Sequence, residues 1–260
     1  MKALILRLDA PMMSFGTVMV DQHGFIDRFP ATSMLCGLIA NALGWQHSDF
    51  DQLQKLQTRI TYAARWDVRP QRIVDYHTVD LGQPKMIGYA NREKSGPSGG
   101  WTTKGSVEWR GGASKLSTHE RYRHYWIDGL MSVALALKDE GVPNLDAVQL
   151  ALNKPARPLF LGRKTCLPAR PLLDPQTPMV EGDNVLSILR QVPIWNRYAE
   201  VVLPDKKMEA CWPVELGASK SDNIRRVYEL REWANQLPAG SRLRAEGLIE
   251  GDYSETTIYD

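Results

Sequence analysis

Leu4, Leu6 and Leu8, with Ile5 adding bulk between them, alternate along "ALILRLDAP" and predict a half-buried strand near the start of the chain. Pro11 and Gly16 mark a turn or loop in the following "PMMSFGTV". In "TSMLCGLIANALGW" the period changes. Apolar residues at 34, 35, 38, 39, 42 and 43 fall on one face of an amphipathic helix, with Thr32 or Ser33 placed to cap it and Gly44 to end it. "ITYAARWDV" and "RIVDYHTVD" are rich in β-branched and aromatic residues and read as consecutive extended segments broken near Pro70.

The pattern then lapses. Residues 82–114 hold eight glycines, two prolines and two tryptophans with little apolar periodicity, so no compact core forms from them alone. They are expected to leave the domain as a long hairpin or arm, the plainer alternative being a surface loop without a role. Trp101 and Trp109, interleaved with Lys104 and Arg110, suit an arm that meets nucleic acid. Alternation returns in "HERYRHYWIDGLMSVALAL", where Arg121, Arg123 and Tyr125 take one strand face and Tyr122, His124 and Trp126 the other. Asp128-Gly129 is a turn signal that predicts a hairpin into the apolar "MSVALAL". "NLDAVQLALNKP" reads as a helix capped by Asn144 and stopped before Pro155, and "RPLFLG" as a further strand. The series matches an α+β fold built on a ferredoxin-like (RRM-like) βαββαβ unit with an insertion between its inner strands. Beyond residue 178, "EGDNVLSILRQV" predicts a helix and "YAEVVLP" a strand, while "IRRVYELREW" fits either.

Composition narrows the class. With 260 residues, 43% hydrophobic and 24% charged, the chain is of ordinary globular type. No run of eighteen apolar residues suggests a membrane span, and Arg7 and Asp9 break the N-terminal apolar stretch too early for a signal peptide. Cys36, Cys166 and Cys211 stand far apart without CxxC spacing, which points to reduced thiols in a cytoplasmic protein. The net charge of +2 hides an uneven distribution. "KPARPLFLGRKTCLPARPL", residues 154–172, carries Lys154, Arg157, Arg163, Lys164 and Arg170, four prolines and no acid. Residues 85–124 add Lys85, Arg92, Lys94, Lys104, Arg110, Lys115, Arg121 and Arg123 against only Glu93, Glu108 and Glu120. Two basic segments in a nearly neutral chain suit a polyanion bound along a limited track; chance clustering on solvated faces is the alternative.

The chemistry of catalysis is sparse. His23, His47, His77, His119 and His124 form no metal-ligand spacing, and no GxSxG, Walker loop or GxGxxG occurs, so neither metal nor cofactor is expected. Metal-free RNA cleavage needs a base, an acid and a cation. Tyr76 and His77 beside Asp75, the "HERYRHY" rings, and Lys104 and Lys115 supply those types, but so does any RNA-binding surface.

Four stretches in order, "RFPATSMLCGLIANALGW", "DYHTV", "THERYRHYWIDGLMSVALAL" and "KPARPLFLGRKTCLPARPL", together resemble CRISPR-associated protein family five in its type I-E form. "LDAPMMSFG" agrees with the family's first strand and turn, and the resemblance covers most of residues 1–173. It implies a RAMP-superfamily protein with a palm over 1–81 and 115–173, a β-hairpin thumb at 82–114 and a C-terminal extension, 174–260, packed on the palm. It further implies a non-catalytic subunit of the Cascade complex that grips the crRNA 5′ handle. Its partners would be the family-seven backbone subunit and the large PAM-reading subunit, with target DNA met only indirectly and no membrane involved. In type I-C relatives the family-five protein processes the guide itself, so a metal-independent endoribonuclease is the alternative.

The RNA contacts expected on this basis begin with Arg28, which leads into a helix whose free N–H groups can meet a phosphate, an ion pair being the competing role. Tyr76 and His77 would stack on a handle base unless they pack in the core. Lys104 and Arg110 in the arm, Lys115 just after it, and Arg121 and Arg123 would track phosphates. Arg163 and Lys164 complete the set, on a turn made possible by Gly162 after a last strand at Leu159–Leu161 and stiffened by the flanking prolines.

Overall fold

The computed structural model describes residues 1–19, 21–80, 99–101, 107–109, 118–196, 207–250 and 257–258. In chain order it begins with β1 (Lys2–Asp9), β2 (Met12–Met13), β3 (His23–Gly24), α1 (Thr32–Leu43) and α2 (Phe50–Arg59). Then come β4 (Ile60–Val68), β5 (Gln71–Asp80), β6 (Gly99–Trp101), β7 (Val107–Trp109), β8 (Thr118–Ile127) and β9 (Leu130–Leu137). Next are α3 (Leu145–Asn153), β10 (Met179–Glu181), α4 (Val185–Gln191), β11 (Trp195–Asn196) and β12 (Lys207–Pro213). The chain closes with β13 (Asn223–Val227), β14 (Arg231–Glu232), β15 (Leu237–Pro238), β16 (Arg242–Glu250) and β17 (Thr257–Ile258). The predicted strand "YAEVVLP" and most of the arm at 82–114 lie outside the described residues.

Two compact units divide this chain. The larger holds Met1–Val18, Phe25–Ile73 and Tyr125–Asp260, the smaller Met19–Gly24 and Val74–His124. The larger is a mixed α+β body on a seven-stranded antiparallel sheet of order β10-β1-β9-β4-β12-β16-β13. Leu4, Leu6 and Leu8 of β1 pack with Leu35 and Ile39 of α1, Leu53 and Leu56 of α2, and Val148 and Leu152 of α3. Ala3 and Ile5, on the other face, join Val185, Ile188 and Leu189 of α4. β1 is therefore buried on both faces, not half-buried as its alternation suggested, because helices cover the sheet from both sides.

Gly44 ends α1 in the left-handed conformation, and Asn144 Oδ1 accepts from the Ala147 amide at the start of α3, as the sequence predicts. The start of α1 differs. Ala31 is its N-cap, and the Thr32 hydroxyl donates instead to Glu229 Oε1 at 2.6 Å. α2 escapes the periodicity, since Leu53 and Leu56 are its only buried apolar positions. "IRRVYELREW" resolves into strands, β13 and β14.

Two further expectations fail. Asp128, with φ of 59°, and Gly129 do turn the chain, but β8 ladders with β2, β3 and β5 whereas β9 lies between β1 and β4. The turn is a corner between sheets rather than a hairpin; a Cβ on Gly129 would meet Trp66 and Pro70 at 2.6 and 2.7 Å. "RPLFLG" is not a strand either. Pro158 removes a donor a ladder needs, and the edge beside β1 is taken by β10. Leu159 and Leu161 still reach the core, held where Leu161 accepts from the Ser14 amide at 2.9 Å.

Candidate nucleic-acid interface

In the smaller unit, β3 pairs in parallel with β8, setting His23 opposite Tyr122 and Gly24 opposite Arg123. The ring of His23 stacks on Tyr122 with centroids 4.6 Å apart and 12° between planes; Tyr76 lies 5.1 Å from the same ring, and His124 5.9 Å from His23. Side chains alternate along a strand, so Arg121 and Arg123 occupy the opposite face of β8, where both are exposed. The same rule separates Tyr76 from His77. Tyr76 shares the ring face and is 52% exposed. His77 turns to the other face with Asp75, whose Oδ2 is 2.5 Å from His77 Nε2. Partial loss of solvent and a hydrogen bond to Glu120 raise the Tyr76 hydroxyl above its ordinary value, so it stays a neutral donor. One face thus offers cations to phosphates, the other an exposed flat ring, Tyr76, to a base. In a separate two-stranded sheet, β6 and β7 pair antiparallel with Gly99 opposite Trp109 and Trp101 opposite Val107. Lys104, Arg110 and Lys115 lie outside the described residues.

In the larger unit, the basic stretch divides by function. Arg157 donates to the carbonyls of Gly44 and Trp45 at 2.6 and 2.8 Å, satisfying the C-terminus of α1, where a cation also complements the helix dipole. Arg170 is 3.8 Å from Asp9 and lies over the Trp195 ring. Arg163 and Lys164 follow on the turn, Arg163 half-buried. Gly162, at φ 109°, makes that turn where a Cβ would sit 1.8 Å from the Ser14 carbonyl oxygen, and the Arg163 guanidinium stacks 5.0 Å from the Tyr125 ring. Lys164 is exposed. Arg28 takes its competing role: Nε donates to Glu209 Oε2 at 2.6 Å, and the guanidinium lies over both Trp66 and Trp126.

The sequence reading gave His23 no part in the ring face. It also passed over a buried ionic seam across the sheet. Arg7, Ser132 and Arg65 are cross-strand neighbours, and Asp67 and Asp174 neutralise the two arginines. Burial pushes Asp174 up, but the Thr177 and Gln176 amides and Arg7 outweigh it and hold its carboxyl below the usual range. Arg65 also donates to the Leu189 and Val192 carbonyls at the end of α4, and Asp67 accepts from the Trp195 amide. Burial raises the Cys36 and Cys211 thiols to about 12, which removes them as nucleophiles at neutral pH. Among the described residues, no cluster of three His, Cys, Asp or Glu is arranged to hold a metal ion, and no helix is long and apolar enough to cross a membrane.

Comparison with known proteins is concordant. Residues 3–244 match the family model described as "CRISPR-associated protein (Cas_Cas5)". The "CRISPR system Cascade subunit CasD" of Escherichia coli (strain K12) is 29% identical over 189 residues, 70% of this chain and 77% of that protein. Among solved structures, one titled "CRISPR RNA-guided surveillance complex" superposes with a TM-score of 0.63 at 22% identity, covering 96% of this chain and 90% of the other. Another, "Crystal structure of Cas protein", gives 0.59 at 21% identity and covers 95% of each chain. These two likenesses support the fold.

Proposed function

The chain belongs to CRISPR-associated protein family five, and from that premise we propose that it is a non-catalytic RNA-binding subunit of a type I-E Cascade surveillance complex, gripping the crRNA 5′ handle. The family match over residues 3–244, joined to the likeness to a Cascade subunit, carries this reading. The strand order β10-β1-β9-β4, with helices after its first and third members in sequence, supports a ferredoxin-like palm. The antiparallel β6–β7 pair supports a hairpin thumb at 82–114, and β12, β16 and β13 support a C-terminal extension that lengthens the palm sheet at the edge of β4. RNA is held by Arg121 and Arg123 on β8, by Arg163 and Lys164 on the Gly162 turn, and by Lys104, Arg110 and Lys115. Tyr76 stacks on a base. Arg28, tied to Glu209, acts on RNA only by orienting its surroundings. The family-seven backbone and the large PAM-reading subunit are the protein partners, in the cytoplasm.

The second reading is a metal-independent endoribonuclease, favoured by the Asp75–His77 pair. Against it stands the placement of Tyr76 and His77 on opposite strand faces, where they cannot act together on one scissile phosphate. Incubation of purified protein with repeat RNA in EDTA separates the two. Intact RNA that remains bound, and co-purification of guide RNA with a family-seven subunit, is the expected result. A single cut at the handle, abolished by His77→Ala or Tyr76→Phe, would establish the nuclease.

A further inference from the structure

The C-terminal third, the part least legible in the sequence, walls a groove together with the basic turn. A hollow of about 430 Å³ lies among Met34 of α1, Gly162 and Arg163, and the segment carrying Tyr228 and Arg231. Shared walls join it to two others. One, of about 410 Å³, has Met34, Gly162 and Arg231 in common with it and adds Lys164. The other, of about 480 Å³, has Tyr228 in common with it and adds Arg226. Cations therefore recur along the whole groove. Its acids are neutralised from below: the Glu229 carboxylate is held by Thr32, Arg242 and Arg244, and Asp27 by Arg244 at 2.7 Å. Lys164, Arg226 and Arg231 have no carboxylate within ion-pairing distance among the described residues. Tyr228 projects beside them, 64% exposed, and Met34 and Leu230 give the groove an apolar floor.

Lys164, Arg226 and Arg231 without carboxylate partners, beside one projecting aromatic face, have the chemistry of a single-stranded RNA track. We propose that this groove continues the RNA path from Arg163 and Lys164 onto the C-terminal extension, with Arg226 and Arg231 on phosphates and a base stacked on Tyr228. The inference rests on the RNA-binding reading above. An acidic peptide would use the cations but offers a ring to Tyr228 only where its sequence supplies one, whereas every nucleotide carries a base, so RNA is the better fit.

Fluorescence anisotropy of the full-length protein with fluorescein-labelled RNA of the 5′ handle sequence, at several NaCl concentrations, tests it. Arg226→Gln with Arg231→Gln is expected to weaken binding about tenfold and to flatten the log K against log salt slope by about 1.4, for two phosphate contacts on a single strand. Tyr228→Ala is expected to lose about fivefold or more with the slope unchanged, and Tyr228→Phe to bind as the parent does. Parental affinity and slope in the folded double variant and in Tyr228→Ala, while Arg163→Ala with Lys164→Ala still loses binding, overturns the groove and leaves the RNA reading standing. Failure of the parent itself to bind overturns both. Displacement of RNA only from the parent by polyglutamate, with RNA affinity unchanged in the variants, reassigns the groove to an acidic peptide. Should the double variant unfold, photocrosslinking of 4-thiouridine-substituted RNA decides: adducts within residues 225–231 support the track, and their absence overturns it.

Discussion

Arg65 and Arg121 both sit in long strands of one chain, yet one is fully enclosed and the other open to solvent. Arg7, Arg65 and Arg244 are each 2% exposed or less. Part of the difference lies two residues downstream. The buried arginines head the triplets Arg7-Leu8-Asp9, Arg65-Trp66-Asp67 and Arg244-Ala245-Glu246, whereas β8 reads Arg121-Tyr122-Arg123. Positions i and i+2 share a strand face, and for two of the three the acid there neutralises the cation locally: Arg65 Nε reaches Asp67 Oδ1 at 2.6 Å and Arg244 Nε reaches Glu246 Oε1 at 3.0 Å. Arg7 is met instead by Asp174 at 2.7 Å and Asp67 at 3.3 Å, while Asp9 lies 3.8 Å from Arg170. Where the second position is another arginine, the strand keeps its charge and stays at the surface, available to a polyanion. Arginine counts alone do not separate the two uses; a carboxylate within reach does, supplied at i+2 for Arg65 and Arg244 and from distant segments for Arg7.

Removing the acid from the buried seam should break this contrast most severely. Asp67→Ala leaves Arg65 and Arg7 buried with one carboxylate fewer, an expected loss of about 3–5 kcal/mol in urea unfolding. A loss below about 1 kcal/mol would erase the distinction between the two arginine classes. Gly162→Ala should cost about 2 kcal/mol or more, because both its φ and the Ser14 carbonyl oppose a side chain. RNA affinity should fall with it, since the same turn aims Arg163 and Lys164.

Asp174→Asn should remove about 2 kcal/mol at neutral pH, through its charged hydrogen bonds to Arg7 and two amides. Its folded carboxyl titrates below the ordinary value, so this stability is fully present above about pH 4 and is lost as the pH falls through the folded value. Parent and variant should therefore converge in acid; a constant gap down to the acid transition would refute the assignment. Arg163→Ala with Lys164→Ala should weaken handle binding about tenfold and flatten its salt slope, and unchanged affinity and slope would count against the turn. Arg121→Ala should be the mildest, leaving stability within about 0.5 kcal/mol while lowering affinity severalfold. A clear drop in melting temperature would show that Arg121 is structural after all.

Much of the fold was readable because local rules coincide with global ones in several elements. The spacing in α1, the Gly44 stop, the Asn144 cap and the break at Pro70 are each set within a few residues. The failures have a common cause. β1 looked half-buried because nothing in its own sequence tells of α4 on its second face. Asp128-Gly129 looked like a hairpin turn because turn chemistry does not report which sheet each flanking strand joins. α2, with two buried leucines, had too narrow a stripe to register.

The candidate site divides the same way. The sequence by itself determined that cations gather at 154–172 and on the strand from Thr118, that Arg121 and Arg123 share a face, and that a glycine precedes Arg163 and Lys164. Only the tertiary structure decided which of those charges remain available. Arg157 went to the end of α1, Arg170 to Asp9 and Arg28 to Glu209, each through a partner distant in the chain. It also brought Tyr228 and Arg231 beside the basic turn. Charge and periodicity are local properties of the chain, but whether a charge is neutralised depends on what folding brings within a few ångströms of it.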